Sequence, residues 1–263
     1  MSILLKILLS IYLMNSRIIL FVIIILLYYW LKIFLNKSSS HILKNNIYNH
    51  DIIIDPGGYY GFYLVGICHF IKNNYNIDNK NILGTSAGAI AIIFLSIKNN
   101  LSNYFIKHMF YMGNSCLDID KLTIDIFDKI ENYSTFEDYN FKNKYIGTTV
   151  DGYKLNIYTN FLSISDILNC TKASLFIPYV TVKDITFFYK GKLTLDGGLA
   201  YFMTKHNVRD NILNINYKMF GRFLNENNFI GGLYKPKIKL YDLYILGYHD
   251  ALVNKKYFDK YLT

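Results

Sequence analysis

Along the chain, the hydrophobic pattern changes character twice. Residues 18–35 (IILFVIIILLYYWLKIFL) form an eighteen-residue apolar run broken by one charge, Lys32, with a shorter apolar run at residues 3–14 ahead of it. A membrane-spanning helix takes about 20 mostly apolar residues, so the pattern predicts an N-terminal hydrophobic membrane anchor over residues 1–36. Tyr28, Tyr29 and Trp30 suit the headgroup layer, and Lys32 can snorkel toward it. Two other readings stay open: a cleaved signal peptide, although no small-residue cleavage site follows, and a hydrophobic hairpin turning at Asn15-Ser16-Arg17. Residues 37–48 are polar and lack any core pattern, which predicts a linker, and residues 49–263 form the folded domain.

Within that domain the pattern becomes α/β. The run Asp51-Ile52-Ile53-Ile54-Asp55 has no polar face and ends in Pro56-Gly57-Gly58, as expected of a buried strand entering a glycine turn. A helix is expected over 61–73. A second strand at 81–83 runs into Gly84-Thr85-Ser86-Ala87-Gly88, followed by an almost wholly apolar helix over 89–98. Further strands are expected at 144–150 and 185–195, with a helix at 164–171, so strands alternate with helices and no repeat is visible.

Charge changes the picture in one respect. The chain of 263 residues carries 28 Lys plus Arg against 19 Asp plus Glu, a formal charge of +9, which would ordinarily suggest a nucleic-acid binder. Only three of the bases are Arg, however, and five of the nine excess charges lie in residues 1–44, which hold Lys6, Arg17, Lys32, Lys37 and Lys44 and no acid. The excess therefore flanks the hydrophobic run, and no nucleic acid is expected as a partner. Counted along the flanks, the positive-inside rule favours a single-pass topology with the domain on the cytosolic side. Four N-x-S/T acceptor patterns, at Asn36, Asn100, Asn132 and Asn169, would carry sugar on a luminal domain. Three widely spaced cysteines, Cys68, Cys116 and Cys170, fit neither a disulfide framework nor a zinc pattern. His69 and Cys68 read as packing residues because no second ligand lies at helical spacing, and no metal is expected.

The candidate chemistry sits at the ends of the predicted strands. Residues 84–88 fit G-x-S-x-G, in which two glycines permit a sharp strand-to-helix turn that projects the Ser86 hydroxyl near a helix N-terminus. The bland alternative makes Ser86 a simple helix cap. A serine nucleophile needs an oxyanion site and a base. Gly57, Gly58 and Gly61, after the first strand, offer backbone amides beyond its C-terminal end. Their segment matches neither the spaced-glycine dinucleotide fingerprint nor the Walker lysine pattern. No histidine follows an acid in a late triad position, so a carboxylate base has to be considered. Asp196, at the end of Leu193-Thr194-Leu195 and followed by Gly197-Gly198, is one candidate, and Asp151 beside Gly152 is another. An Asp-Gly pair on its own is equally an ordinary turn.

Together these elements resemble the patatin-like phospholipase family over residues 51–253: a glycine segment, G-x-S-x-G about 25 residues further on, and a distant D-G-G. Cys170-Thr171-Lys172-Ala173-Ser174-Leu175-Phe176-Ile177-Pro178 is similar to the family's segment with A-S and a later proline, upstream of D-G-G. The resemblance implies a three-layer α/β fold with a mostly parallel central sheet flanked by helices. It also implies a Ser–Asp dyad in which Ser86 attacks an acyl ester, Asp196 takes its proton, and water releases the fatty acid from an acyl-enzyme, without histidine, metal or cofactor. Gly57, Gly58 and Gly61 then lie in the oxyanion segment, and Gly84 and Gly88 form the nucleophile elbow. Asp151 lacks the match to the family's order. The family's common G-G-G-x-[R/K]-G is replaced here by Pro56-Gly57-Gly58-Tyr59-Tyr60-Gly61; the animal triacylglycerol-lipase branch likewise lacks the basic residue. The expectation is a membrane-anchored lipid acyl hydrolase of the phospholipase A or acylglycerol lipase type, acting on membrane phospholipid or acylglycerol. The alternative is a catalytically weak or inactive relative that serves as a lipid-binding or scaffold module.

Overall fold

A computed structural model of the chain describes residues 49–98, 102–103, 106–107, 119–178, 180–181, 184–204, 211–224, 233 and 238–263. The expected anchor over 1–36 and linker over 37–48 lie outside the described residues. Among the described residues, no helix is long and apolar enough to cross a membrane.

Among the described residues seven strands build one sheet: β1 (Ile52–Ile54), β2 (Ile82–Thr85), β3 (Lys144–Val150), β4 (Lys154–Tyr158), β5 (Phe187–Tyr189), β6 (Lys192–Leu195) and β7 (Leu213–Ile215). The helices, in chain order, are α1 (Gly61–Asn74), α2 (Ala87–Ser96), α3 (Ile119–Tyr133), α4 (Ile164–Leu175), α5 (Gly197–Thr204), α6 (Leu240–Val253) and α7 (Lys255–Leu262). The isoleucine triplet of β1 shows why its strand reads as continuously apolar. Ile52 and Ile54 face a large core shared with α1, α2, α4 and α6, while Ile53 faces a smaller one with Leu83, Leu155, Ala200 and Tyr201. Helices cover both faces, so alternation has no polar side on which to appear.

The sheet is mixed, and this corrects the expectation of a mostly parallel one. β7, β1, β2 and β3 run parallel, whereas β4 and β6 pair antiparallel with β3, and β5 antiparallel with β6. Tight turns are the cause. Lys190 and Gly191 both take positive φ, 48° and 74°, and split the single strand expected over 185–195 into a β5–β6 hairpin. Asp151 and Gly152 do the same between β3 and β4, with φ of 54° and 72°.

The register of β3 has a consequence for the site. Ile146 and Gly147 pair with β2 on one side and β4 on the other, and Thr149 and Val150 pair with β4 and β6. Because β4 occupies one edge throughout, β2 and β6 must share the other and meet end to end along it. β2 stops at Thr85 opposite Gly147, and β6 stops at Leu195 opposite Thr149. The next residues in each chain segment are Ser86 and Asp196.

Two helices start at this junction, α2 after Ser86 and α5 after Asp196. α1 lies against α6 so closely that a Cβ placed on Gly66 or Gly247 would sit 2.1 Å from a backbone oxygen of the other helix. The orphan carbonyls at the C-terminal end of α2 receive Lys72, whose Nζ donates to Phe94 O at 3.2 Å and to Ile97 O. Burial lowers the Lys72 pKa to about 8 against the opposing pull of Asp78.

Candidate active site

Ser86 occupies a backbone conformation that L-residues avoid, with φ 52° and ψ −124°, at the junction of β2 and α2. Such strain costs on the order of 1–3 kcal/mol and persists only where neighbours hold it. They do so here from several sides. The Ser86 amide donates to Ser174 Oγ at 2.8 Å, and the Ser174 hydroxyl in turn donates to Gly147 O at 2.7 Å. The two glycines of the motif permit the sharp bend. A Cβ on Gly84 would lie 2.3 Å from Gly88 O, and one on Gly88 would lie 2.3 Å from Ile54 O. The side chain of Ser86 caps nothing on α2, which removes the reading of Ser86 as a helix cap.

Asp196 is held as firmly on every side but one. Its amide donates to Phe176 O at 2.8 Å, its carbonyl accepts from Thr149 Oγ1 at 2.6 Å, and its Oδ1 accepts from the Gly198 amide at 2.8 Å. Oδ2 is buried without a hydrogen-bond partner that meets normal geometry. Burial pushes the carboxyl up to about 7, against the lowering influence of the Ser86 hydroxyl and the Gly198 amide. The Ser86 hydroxyl thus lies near enough to act on the carboxyl. A carboxyl that titrates near neutrality beside a strained serine can accept that serine's proton.

The glycine segment divides in its roles. Gly58 has φ 53° and lines the pocket beside Ser86. The Gly61 amide is engaged, donating to Gly58 O and Tyr59 O at the start of α1, and a Cβ there would meet Ala87 Cβ at 2.9 Å. Gly61 therefore keeps α1 close to the elbow, and Gly57 lies one step behind the pocket lining, where its carbonyl accepts from the Tyr60 amide at 3.0 Å. Gly58 and Ala87, the first residue of α2, both line the pocket beside Ser86, at the end of α2 where the helix dipole is positive.

Ser86 and Asp196 open into a narrow pocket walled by Phe62 and Val65 of α1, Ile90 of α2, Leu122 and Ile126 of α3, and Ile177. Among the described residues that line it, Asp196 is the only one with a carboxyl, imidazole, amino or guanidinium group. The α3 wall follows from its own pattern, since Leu122, Ile126, Phe127 and Ile130 form the single apolar face of that helix.

Other candidates fall elsewhere. Asp151 is exposed in the β3–β4 turn and does not line the pocket. His69 Nδ1 meets Tyr244 OH, its ring stacks on that of Tyr244, and burial lowers its pKa. Cys68 and Cys170 are buried free thiols whose pKa values burial raises. Among the described residues no group of three or more His, Cys, Asp or Glu side chains comes together. Sequence reasoning missed three contributors: Ala87, Thr149 and the specific part of Ser174. The sharp turn itself points to Ala87, and Ser174 lies in a segment the resemblance already marked; nothing in the sequence singles out Thr149.

No family model matches the chain, and no curated protein matches it. Among solved structures, the crystal structure of VipD from Legionella pneumophila is similar to it at 12% sequence identity and a TM-score of 0.30. The similarity covers 63% of this chain and 51% of that one, so the chain spans about half the length of that structure.

Proposed function

We propose that the protein is a lipid acyl hydrolase in which Ser86 and Asp196 act as a two-residue catalytic unit. The observation that carries this reading is the end-to-end meeting of β2 and β6, which sets a strained serine against a buried, incompletely bonded carboxylate at the mouth of an apolar pocket. Ser86 Oγ attacks the ester carbonyl carbon while its proton passes to Asp196 Oδ2. The oxyanion that forms is stabilised by the amides of Gly58 and Ala87. Collapse breaks the ester C–O bond, the alcohol leaves with the proton from Asp196, and the acyl group remains on Ser86. Water then attacks with Asp196 as base, releasing the fatty acid and restoring the serine.

An apolar pocket with no cation in its described lining suits an acyl chain better than a headgroup. The substrate class is therefore phospholipid or acylglycerol recognised through its fatty-acyl part, as the patatin-like resemblance also implies. The hydrophobic run at 18–35 would hold the domain at the membrane that supplies it, on the cytosolic face by the positive-inside count.

One observation favours the second reading, a weak or silent relative that binds lipid: the Gly61 amide is already engaged and Pro56 has none to give, which leaves few donors for an oxyanion. A fluorophosphonate probe decides between them. The hydrolase reading expects Ser86 to label in the folded full-length chain and the label to vanish in Ser86→Ala; a folded wild type that takes no label overturns it.

A further inference from the structure

Helix α6 packs one face against α1 and keeps large apolar side chains exposed along its flank. Leu240, Leu243, Tyr244, Gly247 and Ala251 turn inward against α1. On the flank of that face Tyr241, Ile245 and Leu252 recur at i, i+4 and i+11, a stripe about 16 Å long, with Tyr248 at its inner border packed on His69 and Phe70 of α1. Tyr241, Ile245 and Leu252 keep 44%, 44% and 52% of their surface in water, and Val253, at the end of the helix, keeps 68%. The only extensive packing of α6 on another described element is with α1. A surface helix normally has a polar outer side; here Asp242 and His249 share it with exposed Ile245, Leu252 and Val253, an apolar patch that suits an interaction surface.

What surrounds the stripe says what fills it. Lys239 precedes α6, and Lys255, Lys256 and Lys260 follow in α7 beside Tyr257 and Tyr261. Of the acids in the same stretch, Asp250 is bound by Arg222 at 2.6 Å and Asp259 by Lys255 at 2.7 Å, which leaves Asp242 against Lys239, Lys256 and Lys260. Protein–protein interfaces are depleted in lysine, whereas tyrosine and lysine around an aliphatic stripe match the headgroup layer of a bilayer. α6 also places its C-terminal end at the catalytic side of the domain, because Tyr63, in the first turn of α1, reaches Asp250 at 2.7 Å.

We infer that the outer face of α6, with the lysines of α7, is a docking surface for an anionic lipid bilayer. It is separate from the Ser86 chemistry and from the hydrophobic run at 18–35, and it sets how the domain sits on the membrane.

The test uses the full-length chain with Trp30, its single tryptophan, replaced as Trp30→Phe, and with Ser86→Ala so that turnover plays no part. A tryptophan is introduced by Leu252→Trp, by Ile245→Trp or, as a control on the exposed loop before α4, by Leu162→Trp. Emission is read on vesicles of phosphatidylcholine with and without phosphatidylglycerol, the acyl chains being brominated. The docking surface expects strong quenching and a blue shift at 252 and 245, little at 162, and about tenfold weaker quenching affinity on anionic vesicles after Lys256→Glu with Lys260→Glu. Equal quenching at 252 and 162 overturns it. So does a blue shift at 252 that depends on protein concentration without vesicles, which would assign the stripe to a second copy of the chain. Indifference to phosphatidylglycerol overturns the choice of an anionic surface.

Discussion

Asp196 and Asp250 are both buried carboxylates, and the structure treats them in opposite ways. Asp250 receives the Arg222 guanidinium through two bonds of 2.8 and 2.6 Å and the Tyr63 hydroxyl at 2.7 Å. Burial alone would raise its pKa, but these partners and the nearby His249 outweigh it and hold the carboxyl below its usual range. Among the described residues no cation lies beside Asp196, its Oδ2 lacks a hydrogen bond of normal geometry, and burial pushes the carboxyl up to about 7. A satisfied carboxylate ties α1, α6 and the loop at 217–224 together. An unsatisfied one retains an appetite for a proton, which a structural residue has no use for and a general base requires.

The largest expected effect separates the two sites by function. Ser86→Ala and Asp196→Asn should each lower kcat/KM on a short-chain ester by on the order of 10³- to 10⁴-fold, while Asp250→Asn should change it by less than about tenfold. Equal losses at Asp196 and Asp250 would reduce both to structural roles and break the contrast.

Stability with pH should show the opposite order. An unfolded aspartate ionises near 3.9, whereas Asp196 in the fold keeps its proton to about 7. Between those values the native state binds more protons, so this group costs stability as pH rises through the window, and the cost is complete above about 7. Asp196→Asn, which cannot ionise, should therefore match wild type near pH 4 and exceed it by roughly 3–4 kcal/mol at pH 8, read by urea denaturation. Activity should move the other way, since kcat/KM of the wild type rises as Asp196 loses its proton around pH 7. A flat profile between pH 5 and 8 would remove the carboxylate base.

Asp250 sharpens the comparison by sign. Its folded pKa is depressed, so its contribution is present at neutral pH and is lost only as pH falls below the ordinary carboxylate range. Asp250→Ala should destabilise by about 2–3 kcal/mol at pH 7 through the lost charged hydrogen bonds, with the deficit shrinking in acid. The smallest effect concerns Ser174, which positions Ser86 without touching substrate. Ser174→Ala should lower kcat about tenfold with KM unchanged, and Ser174→Thr should restore most of it. A change in KM alone would mean that Ser174 shapes the pocket instead.

The parts of this site that could be read in the sequence are those where backbone geometry demands particular residues. The elbow at 84–88, the glycines after β1 and the turn after Asp196 announce themselves because no Cβ fits at Gly84 or Gly88 and because Asp-Gly favours a turn. β1 was legible because both its faces are buried. α6 was not legible, since exposed apolar side chains beside its buried face blur its period, and β7, Leu213-Asn214-Ile215, lacks the unbroken apolar run and glycine turn that mark β1. The hairpin at Lys190-Gly191 escaped notice because lysine rarely takes a left-handed conformation, which hid the turn and with it the antiparallel half of the sheet. The bond from Ser86 to Ser174 spans 88 positions, a separation that no local rule reaches.

The shared edge of β3 also bears on when the protein can act. Ser86 and Asp196 adjoin only after a strand from late in the chain has paired beyond the end of one formed much earlier. Closing that distance carries a loop-entropy cost that short-range helices do not pay, so this pairing belongs among the slow, long-range events of folding. A chain still emerging from the ribosome, with residue 196 not yet made, holds a serine but no partner for it. Reactivity should therefore appear in refolding experiments after helical signal has returned, and a nascent or partly unfolded copy would leave nearby lipid intact.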